Sequence, residues 1–301
     1  MARVNQKRRN RFNRRIERLE DRQLLAADAF KIVQIPDTQS LAESSPATFS
    51  EQFQWVANNA VSDNIVFLSH VGDVVENSES DQEWQVATAA LDLLDGDLTA
   101  NPDGLVPYSV AIGNHDYDDD NTHNGASQFT RYFGESRYEG RSWYGGSSTD
   151  ELNQFQIFSG GDQTFLHLTL EWEPRDSALS WAQDILDAYA DLPAIITTHA
   201  YIDETGGHST QQLTADGNTG VEVFQQLVSP NPQVFMVLGG HFGSERHQVS
   251  TNSAGSEVIE VLANYQNRAI GEDGFLRLIE FEPAVDVVNF TTYSPSLDQF
   301  E

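Results

Sequence analysis

What most constrains this chain is a recurring event. An apolar run of strand length stops, usually at a glycine or proline, and an Asp, Asn or His follows at once. It happens five times in order: "IPDTQ" (Asp37, Gln39), "VGDVVEN" (Asp73, Asn77), "IGNHD" (Asn114, His115, Asp116), "TTHA" (His199) and "GGH" (His241). One Asp after a strand is an ordinary cap or turn residue. Five polar strand ends in series point elsewhere, because open α/β sheets gather ligands where loops leave the carboxyl ends of strands. Glycines before Asp73, Asn114 and His241 permit tight turns and close backbone approach there.

The rest of the chain supplies the layers such sheets need. "FKIVQI", "NIVFLSH", "LVPYSVAI", "QTFLHLTLEW", "AIITTHA" and "QVFMVLGGH" read as buried strands. Between them, "SPATFSEQFQWVANNA" places Phe49, Phe53, Val56 and Ala60 on one helical face, with Thr48 and Glu51 as a candidate capping box. "DQEWQVATAALDLL", "DSALSWAQDILDAYA" (capped by Asp176 or Ser177) and a segment around Val221–Val228 complete the helices. "SEVIEVLANYQ", "GFLRLIEFEP" and "DVVNFTTYSP" read as three strands in series that close the fold as an antiparallel segment. The pattern is that of a layered α/β domain over residues 29–301, with no repeat and no second domain.

Charge divides the chain differently. Residues 1–22 carry nine Lys/Arg and three acids, a net +6, whereas the remainder carries a net −35 and Lys31 as its only lysine. So acidic a body repels nucleic-acid backbones and anionic membranes. Zero cysteines exclude disulfides and thiolate chemistry, and no apolar run reaches the roughly 18 residues of a membrane helix. The basic head lacks the apolar centre of an ordinary signal peptide. Its "RLEDRQLL" (Arg18 to Leu25) resembles a short Leu-Glu-Pro/Asp-Arg-x-Leu-Leu element at the N-termini of many exported planctomycete proteins. Residues 1–28 are therefore set apart as a basic targeting segment, and the expected location is outside the cytoplasm.

Carboxylates, amides and two imidazoles at neighbouring strand ends suit a borderline-hard divalent metal. Taken in order, D-x-Q, G-D-x-x-x-N, G-N-H-D, T-H and G-H resemble the calcineurin-like metallophosphoesterase family, over nearly everything from Phe30 onward. "PDTQ", "LEW", "LANYQ" and "TYSP" are similar to a bacterial branch of it whose substrate is unknown. The resemblance implies a four-layer αββα sandwich with two central mixed sheets and a pair of divalent ions (Mn, Fe, Zn or Mg). It implies that Asp73 bridges both ions, that Asp37 and Gln39 serve the first, and that Asn114, His199 and His241 serve the second. His115 would protonate the leaving oxygen, with Asp116 fixing its tautomer. Two ions about 3.5–4 Å apart can clamp a phosphoryl group and make water a nucleophile near neutral pH. The substrate implied is a phosphate monoester or diester, small or polymeric.

Two departures fall on the first ion. Gln39 and Gly243 stand where many members of the family have histidine, which leaves an oxygen-rich and weaker site. Of the other histidines, His70 and His167 read as structural, His123 and His208 as exposed loop residues, and His247 as a poorly placed substitute for the missing ligand. Asn77 reads as a brace for the Asp73 loop. Arg246, in the loop after His241, is the candidate contact for an anionic substrate. The alternative reading is a non-catalytic exported surface protein that keeps the fold to bind metal or an anionic polymer. The two departures support that alternative, and retention of His115 and Asp116 opposes it.

Overall fold

The computed structural model describes residues 28–266 and 273–301, so residues 1–28, where a targeting segment is expected, lie outside it except for Asp28. In chain order the strands are β1 (Phe30–Ile35), β2 (Ile65–His70), β3 (Tyr108–Val110), β4 (Tyr144–Ser147), β5 (Gln154–Gly160), β6 (Gln163–Leu170), β7 (Ala194–Thr198), β8 (Val234–Gly239), β9 (Glu245–Thr251), β10 (Glu257–Ala263), β11 (Leu276–Glu282), β12 (Val287–Ser294) and β13 (Gln299–Phe300). The helices are α1 (Gln39–Ser44), α2 (Pro46–Asn59), α3 (Asp81–Asp95), α4 (Ser127–Phe133), α5 (Glu135–Tyr138), α6 (Asp176–Ala188) and α7 (Gly220–Val223).

These strands form two mixed sheets. One runs β13-β12-β11-β1-β2-β3, and the other runs β4-β5-β6-β7-β8-β10-β9. Strands β1, β2 and β3 are parallel, as are β6, β7, β8 and β10. Strands such as β1, β2 and β8 are buried along nearly their whole length, as expected when both faces of a sheet are covered. Between the sheets lies a phenyl-rich seam of Phe30, Phe67, Phe158, Phe165, Met236 and Phe281. Phe67 stacks on Phe158 at 4.4 Å and Phe30 on Phe281 at 4.8 Å. Each such side chain contributes roughly 1.5–3 kcal/mol by leaving water. The outer face of the first sheet is covered through Phe49, Phe53, Trp84 and Leu91, and that of the second through Leu179, Ala182, Leu186 and Val223. The molecule is thus a four-layer αββα sandwich. No helix among the described residues is long and apolar enough to cross a membrane.

The structure corrects three local expectations. Helix α2 starts two residues before Thr48, at Pro46, and its N-cap Ser45 makes no side-chain cap bond. The fixed φ of proline and the preceding helix α1 set that start, so Thr48 and Glu51 form no capping box. Helix α6 is preceded by Arg175 in extended conformation, again without a side-chain cap, and Asp176 is already helical. Of the three closing strands, only β11 and β12 pair with each other, whereas β10 enters the second sheet parallel to β8. Its side chains from Glu260 to Ala263 are all buried, which suits a position inside a sheet. The C-terminal ends of β1, β2 and β3 meet those of β7 and β8 across the sandwich, and the polar strand ends collect there.

Candidate metal centre

Two of the strand ends carry unusual backbone. Asp73 (φ 50°) and His241 (φ 67°) lie in the left-handed region, which costs a non-glycine residue energy and persists only where its surroundings enforce it. Close approach fixes the neighbouring glycines. A Cβ on Gly113 would stand 2.1 Å from the Asp73 nitrogen, and one on Gly240 would stand 2.2 Å from Asp37 Oδ1. The sequence "GD", "GNHD" and "GGH" is therefore written by how tightly three loops nest.

Four ligand-type atoms converge. His199 Nε2 is 3.1 Å from Asp73 Oδ2, 3.2 Å from Asn114 Oδ1 and 3.3 Å from His241 Nδ1. Asn114 Oδ1 is 2.9 Å from His241 Nδ1. The opposite ring nitrogens are committed: His199 Nδ1 donates to the Val71 carbonyl at 2.9 Å, and His241 Nε2 donates to Gln211 Oε1 at 2.8 Å. That leaves the other nitrogen of each ring, His199 Nε2 and His241 Nδ1, facing inward next to an amide oxygen and a carboxylate. Asn114 Oδ1 and His241 Nδ1 are then two acceptors in contact, an arrangement a cation relieves. The donor set of one carboxylate, one amide oxygen and two imidazoles suits a divalent transition ion.

Without an ion, a proton does part of that work. Burial opposes a charge on His199, but Asp73 and then Asp37 outweigh it and hold the imidazole up at about 9. Burial, which would raise Asp73, is likewise outweighed by His199, so the Asp73 carboxyl sits below the ordinary range. Burial and then the His199 charge push His241 down to about 4, which keeps it neutral.

Asp37 stands beside this cluster, just past the end of β1, and Gln39 follows two residues later. Asp37 is raised by burial, partly offset by His199. Its carboxylate accepts from the His241 backbone N–H, at 3.2 Å to Oδ1 and 3.1 Å to Oδ2, and from Asn264 Nδ2 at 2.6 Å. Gln39 is the first residue of α1, 5% exposed, and its Oε1 has no hydrogen-bond partner. A buried acceptor without a donor costs free energy unless something electropositive faces it. An oxygen set of Asp37, Asp73 and Gln39 fits a hard divalent ion.

His115 lies at the rim in a single 3₁₀ turn, Asn114–Asp116, and its backbone N–H donates to Asp73 Oδ1 at 3.0 Å. Its ring Nδ1 donates to the Glu76 carbonyl at 3.3 Å, near Asp120 Oδ1 (3.7 Å) and Glu76 Oε1 (3.9 Å). Burial disfavours its charge, but Asp73, then Asp120 and Glu76, raise its pKa overall. Asp116 does not hold this ring, contrary to expectation. Its Oδ1 accepts from the backbone of Val74 (2.8 Å) and Val75 (3.1 Å), and its Oδ2 from Gly113 (2.8 Å). The 3₁₀ turn points consecutive side chains apart, so Asp116 braces the loop of Asp73 while His115 faces outward.

Other expectations resolve individually. Glu83 takes the Asn77 side chain and the Glu76 and Asn77 backbone N–H groups, which fixes that loop. His70 donates to Thr38 Oγ1 and accepts from Gly72, and burial holds it neutral at about 3. His167 is buried between Gln156 and Thr197. His123 is not an exposed loop residue: its Nε2 donates to the Trp172 carbonyl, and its ring packs on Trp172. His208 is likewise engaged, donating to the buried Glu260 and stacking on Phe224. His247 sits on β9 with its ring parallel to Phe290. Arg246 bonds the carbonyls of Glu204 and Glu245 rather than the centre. Gly243 is not among the described residues with positive φ.

Sequence reasoning missed two contributors. Asn264 directly follows β10 as a sixth polar strand end, within "LANYQ", and so is marked by the same signal as the other five. Gln211 lies in an irregular loop that no periodicity marks.

A family model described as calcineurin-like phosphoesterase matches residues 30–244. The chain is 32% identical over 278 residues to a Bacillus subtilis (strain 168) protein called uncharacterized protein YvnB. That alignment takes in 90% of this chain but 20% of the relative, so the chain spans about a fifth of the protein it matches. Among solved structures, it resembles a purple acid phosphatase, PPD1, from yellow lupin seeds (TM-score 0.56, 12% identity, 91% of this chain and 53% of that one). It also resembles GAP50, described as the anchor in the inner membrane complex of Plasmodium (0.52, 9%, 90% and 86%), and TT1561 of Thermus thermophilus (0.50, 12%, 89% and 100%). At such identities these likenesses concern the fold alone.

Proposed function

The chain belongs to the calcineurin-like phosphoesterase family, and we propose that it hydrolyses phosphoric esters at a dinuclear metal centre with His115 as the proton donor. The observation that carries this reading is the convergence of Asp73 Oδ2, Asn114 Oδ1, His199 Nε2 and His241 Nδ1. Asp73, Asn114, His199 and His241 would hold one ion, and Asp37, Gln39 and Asp73 a second. Divalent ions held there offset the charge of the phosphoryl oxygens and make water acidic enough to attack near neutral pH.

The chain's own groups do the rest. His115 gives Nδ1–H to the Glu76 carbonyl, which leaves Nε2 to face the leaving oxygen and hand it a proton as the P–O bond breaks. Asp73, Asp120 and Glu76 favour the protonated ring that this role requires. The Asp73 Oδ1 bond to the His115 backbone sets the distance between proton donor and centre. Asp116 keeps the Asp73 loop in its left-handed turn through three backbone N–H groups. In the alternative, a surface protein that binds metal without turnover, the glycine at 243 would be the mark of lost function. A proton donor set beside the cluster favours hydrolysis.

The test is hydrolysis of bis- and mono-p-nitrophenyl phosphate by metal-stripped protein, with Mn, Mg, Zn and Fe added back and Asp73→Asn as the control. Metal-restored turnover that Asp73→Asn abolishes supports the reading, and metal binding without turnover supports the alternative. The proposal extends to export of the acidic body with removal or surface retention of residues 1–28. N-terminal sequencing of protein recovered from its host would check that.

A further inference from the structure

The two histidines of the centre are locked in different ways. His199 is fully buried and gives Nδ1–H to a backbone carbonyl, Val71, at the floor of the site. His241 is partly exposed and gives Nε2–H to the side chain of Gln211, an exposed residue 30 positions away. An exposed glutamine on a free loop would exchange its bond with water. This loop is not free. The carboxylate of Glu173, 1% exposed, accepts from the backbone of Leu213 (2.7 and 3.0 Å) and Thr214 (2.8 Å) and from Thr214 Oγ1 (2.7 Å). Upstream, the Gln211 backbone N–H bonds Ser209 Oγ, and His208 is tied to the buried Glu260 at 2.8 Å. Downstream, His123 Nδ1 meets Asp216 Oδ1 at 2.9 Å, and Asn218 bonds the carbonyl of Pro174.

We propose that Gln211 is a positioning residue for His241 and that the segment from Ser209 to Asn218, clamped by Glu173, belongs to the metal centre. A neutral imidazole has two tautomers, and only the Nε2–H form presents the Nδ1 lone pair to Asp73, Asn114 and His199. Gln211 Oε1 selects that form before any ion arrives and fixes the plane of the ring. Loss of such a partner of a ligating histidine typically weakens metal binding by about 10–100-fold. The proposal rests on the reading of this cluster as a metal site.

Full-length protein, Gln211→Leu and Gln211→Glu are stripped of metal and titrated with Mn²⁺ by calorimetry, with thermal midpoints recorded metal-free. ¹⁵N spectra of the imidazoles report the tautomer of His241. Gln211→Leu is expected to weaken the tighter binding event at least tenfold, to raise the Nδ1–H fraction of His241 and to leave the metal-free midpoint unchanged. Gln211→Glu, which still accepts from Nε2, is expected to bind within a few-fold of wild type. Wild-type affinity in Gln211→Leu, or equal losses in both variants, overturns the proposal while leaving the metal site standing. A wild-type protein that binds no Mn²⁺ overturns the metal site and this proposal with it.

Discussion

Loading the centre with metal should expel a proton, and the structure says from where. In the metal-free protein both nitrogens of His199 are protonated, one towards Val71 and one towards Asp73 Oδ2 at 3.1 Å, and the ring is held up at about 9. A ligating imidazole needs the Nε2 lone pair, so an arriving cation competes with that proton. Below pH 9 the competitor is bound. Apparent affinity therefore falls about tenfold for each unit that pH drops beneath 9, each unit being about 1.4 kcal/mol, and flattens above it. Between about pH 8.5 and about pH 6.5 the loss should be roughly 80-fold, or about 2.6 kcal/mol, with about one proton released per ion bound near neutrality. Asp37, raised by burial, adds a further fraction of a proton. Calorimetric titration of Mn²⁺ into stripped protein, repeated in buffers of different ionisation enthalpy, counts the protons directly. Release of less than about a third of a proton near pH 6.5, with an affinity that moves less than threefold across the range, would refute the ion pair of His199 and Asp73 as the state that metal displaces.

His115→Ala should retain metal yet lose roughly 10²–10⁴ in rate on an alkyl ester and far less on a p-nitrophenyl ester, whose leaving group departs without a proton. Equal losses on both substrates would make His115 something other than the acid. Gly243→His should tighten the weaker metal-binding event by on the order of tenfold, since Gly243 is free of the positive φ that would resist a side chain. An unchanged titration would place position 243 out of reach of the ion. His167 is held neutral by burial, at about 3, whereas in the unfolded chain it takes up a proton below about 6.5. Folding free energy should accordingly fall with pH below about 6.5 by about 1.4 kcal/mol per unit from this residue. In urea melts without metal, His167→Gln should flatten that acid limb, and parallel curves would contradict a neutral His167.

Much of this was legible because strand ends obey simple rules. An apolar run that stops at glycine before Asp, Asn or His marks both a chain reversal and a ligand; Asp73, Asn114 and His241 are legible that way, and His199 from the strand-like "AIITT" that it ends. What stayed hidden depends on direction rather than identity. The family resemblance implies that Asp116 fixes the His115 tautomer, yet a 3₁₀ turn sends neighbouring side chains to different places, and Asp116 holds backbone instead. His123 and His208 lie in polar stretches that look solvated, but Trp172, Phe224 and Glu260 come to them from distant segments. The second sheet took β10 because its burial demands a partner on each side, which no count of strands in series reveals.

The centre draws its groups from both sheets: Asp37, Gln39, Asp73 and Asn114 follow strands of one, and His199 and His241 follow strands of the other. Among the described residues no hydrogen-bonded ladder joins those sheets. They meet through the phenyl seam and a few polar cross-links, such as Gln34 to the Gly239 carbonyl (3.0 Å) and Ser69 to Thr197 (2.8 Å). The sandwich therefore behaves mechanically like the two jaws of a vice, with aromatic rings as the bearing and the ligands at the lip. Trimming a bearing ring such as Phe67 or Phe158, buried in the seam away from any ligand, lets one jaw slide on the other. Such a slide alters at once every ligand distance that crosses from one jaw to the other, such as His199 to Asp73 and His241 to Asn114, so packing deep in the seam sets the gauge of the jaw.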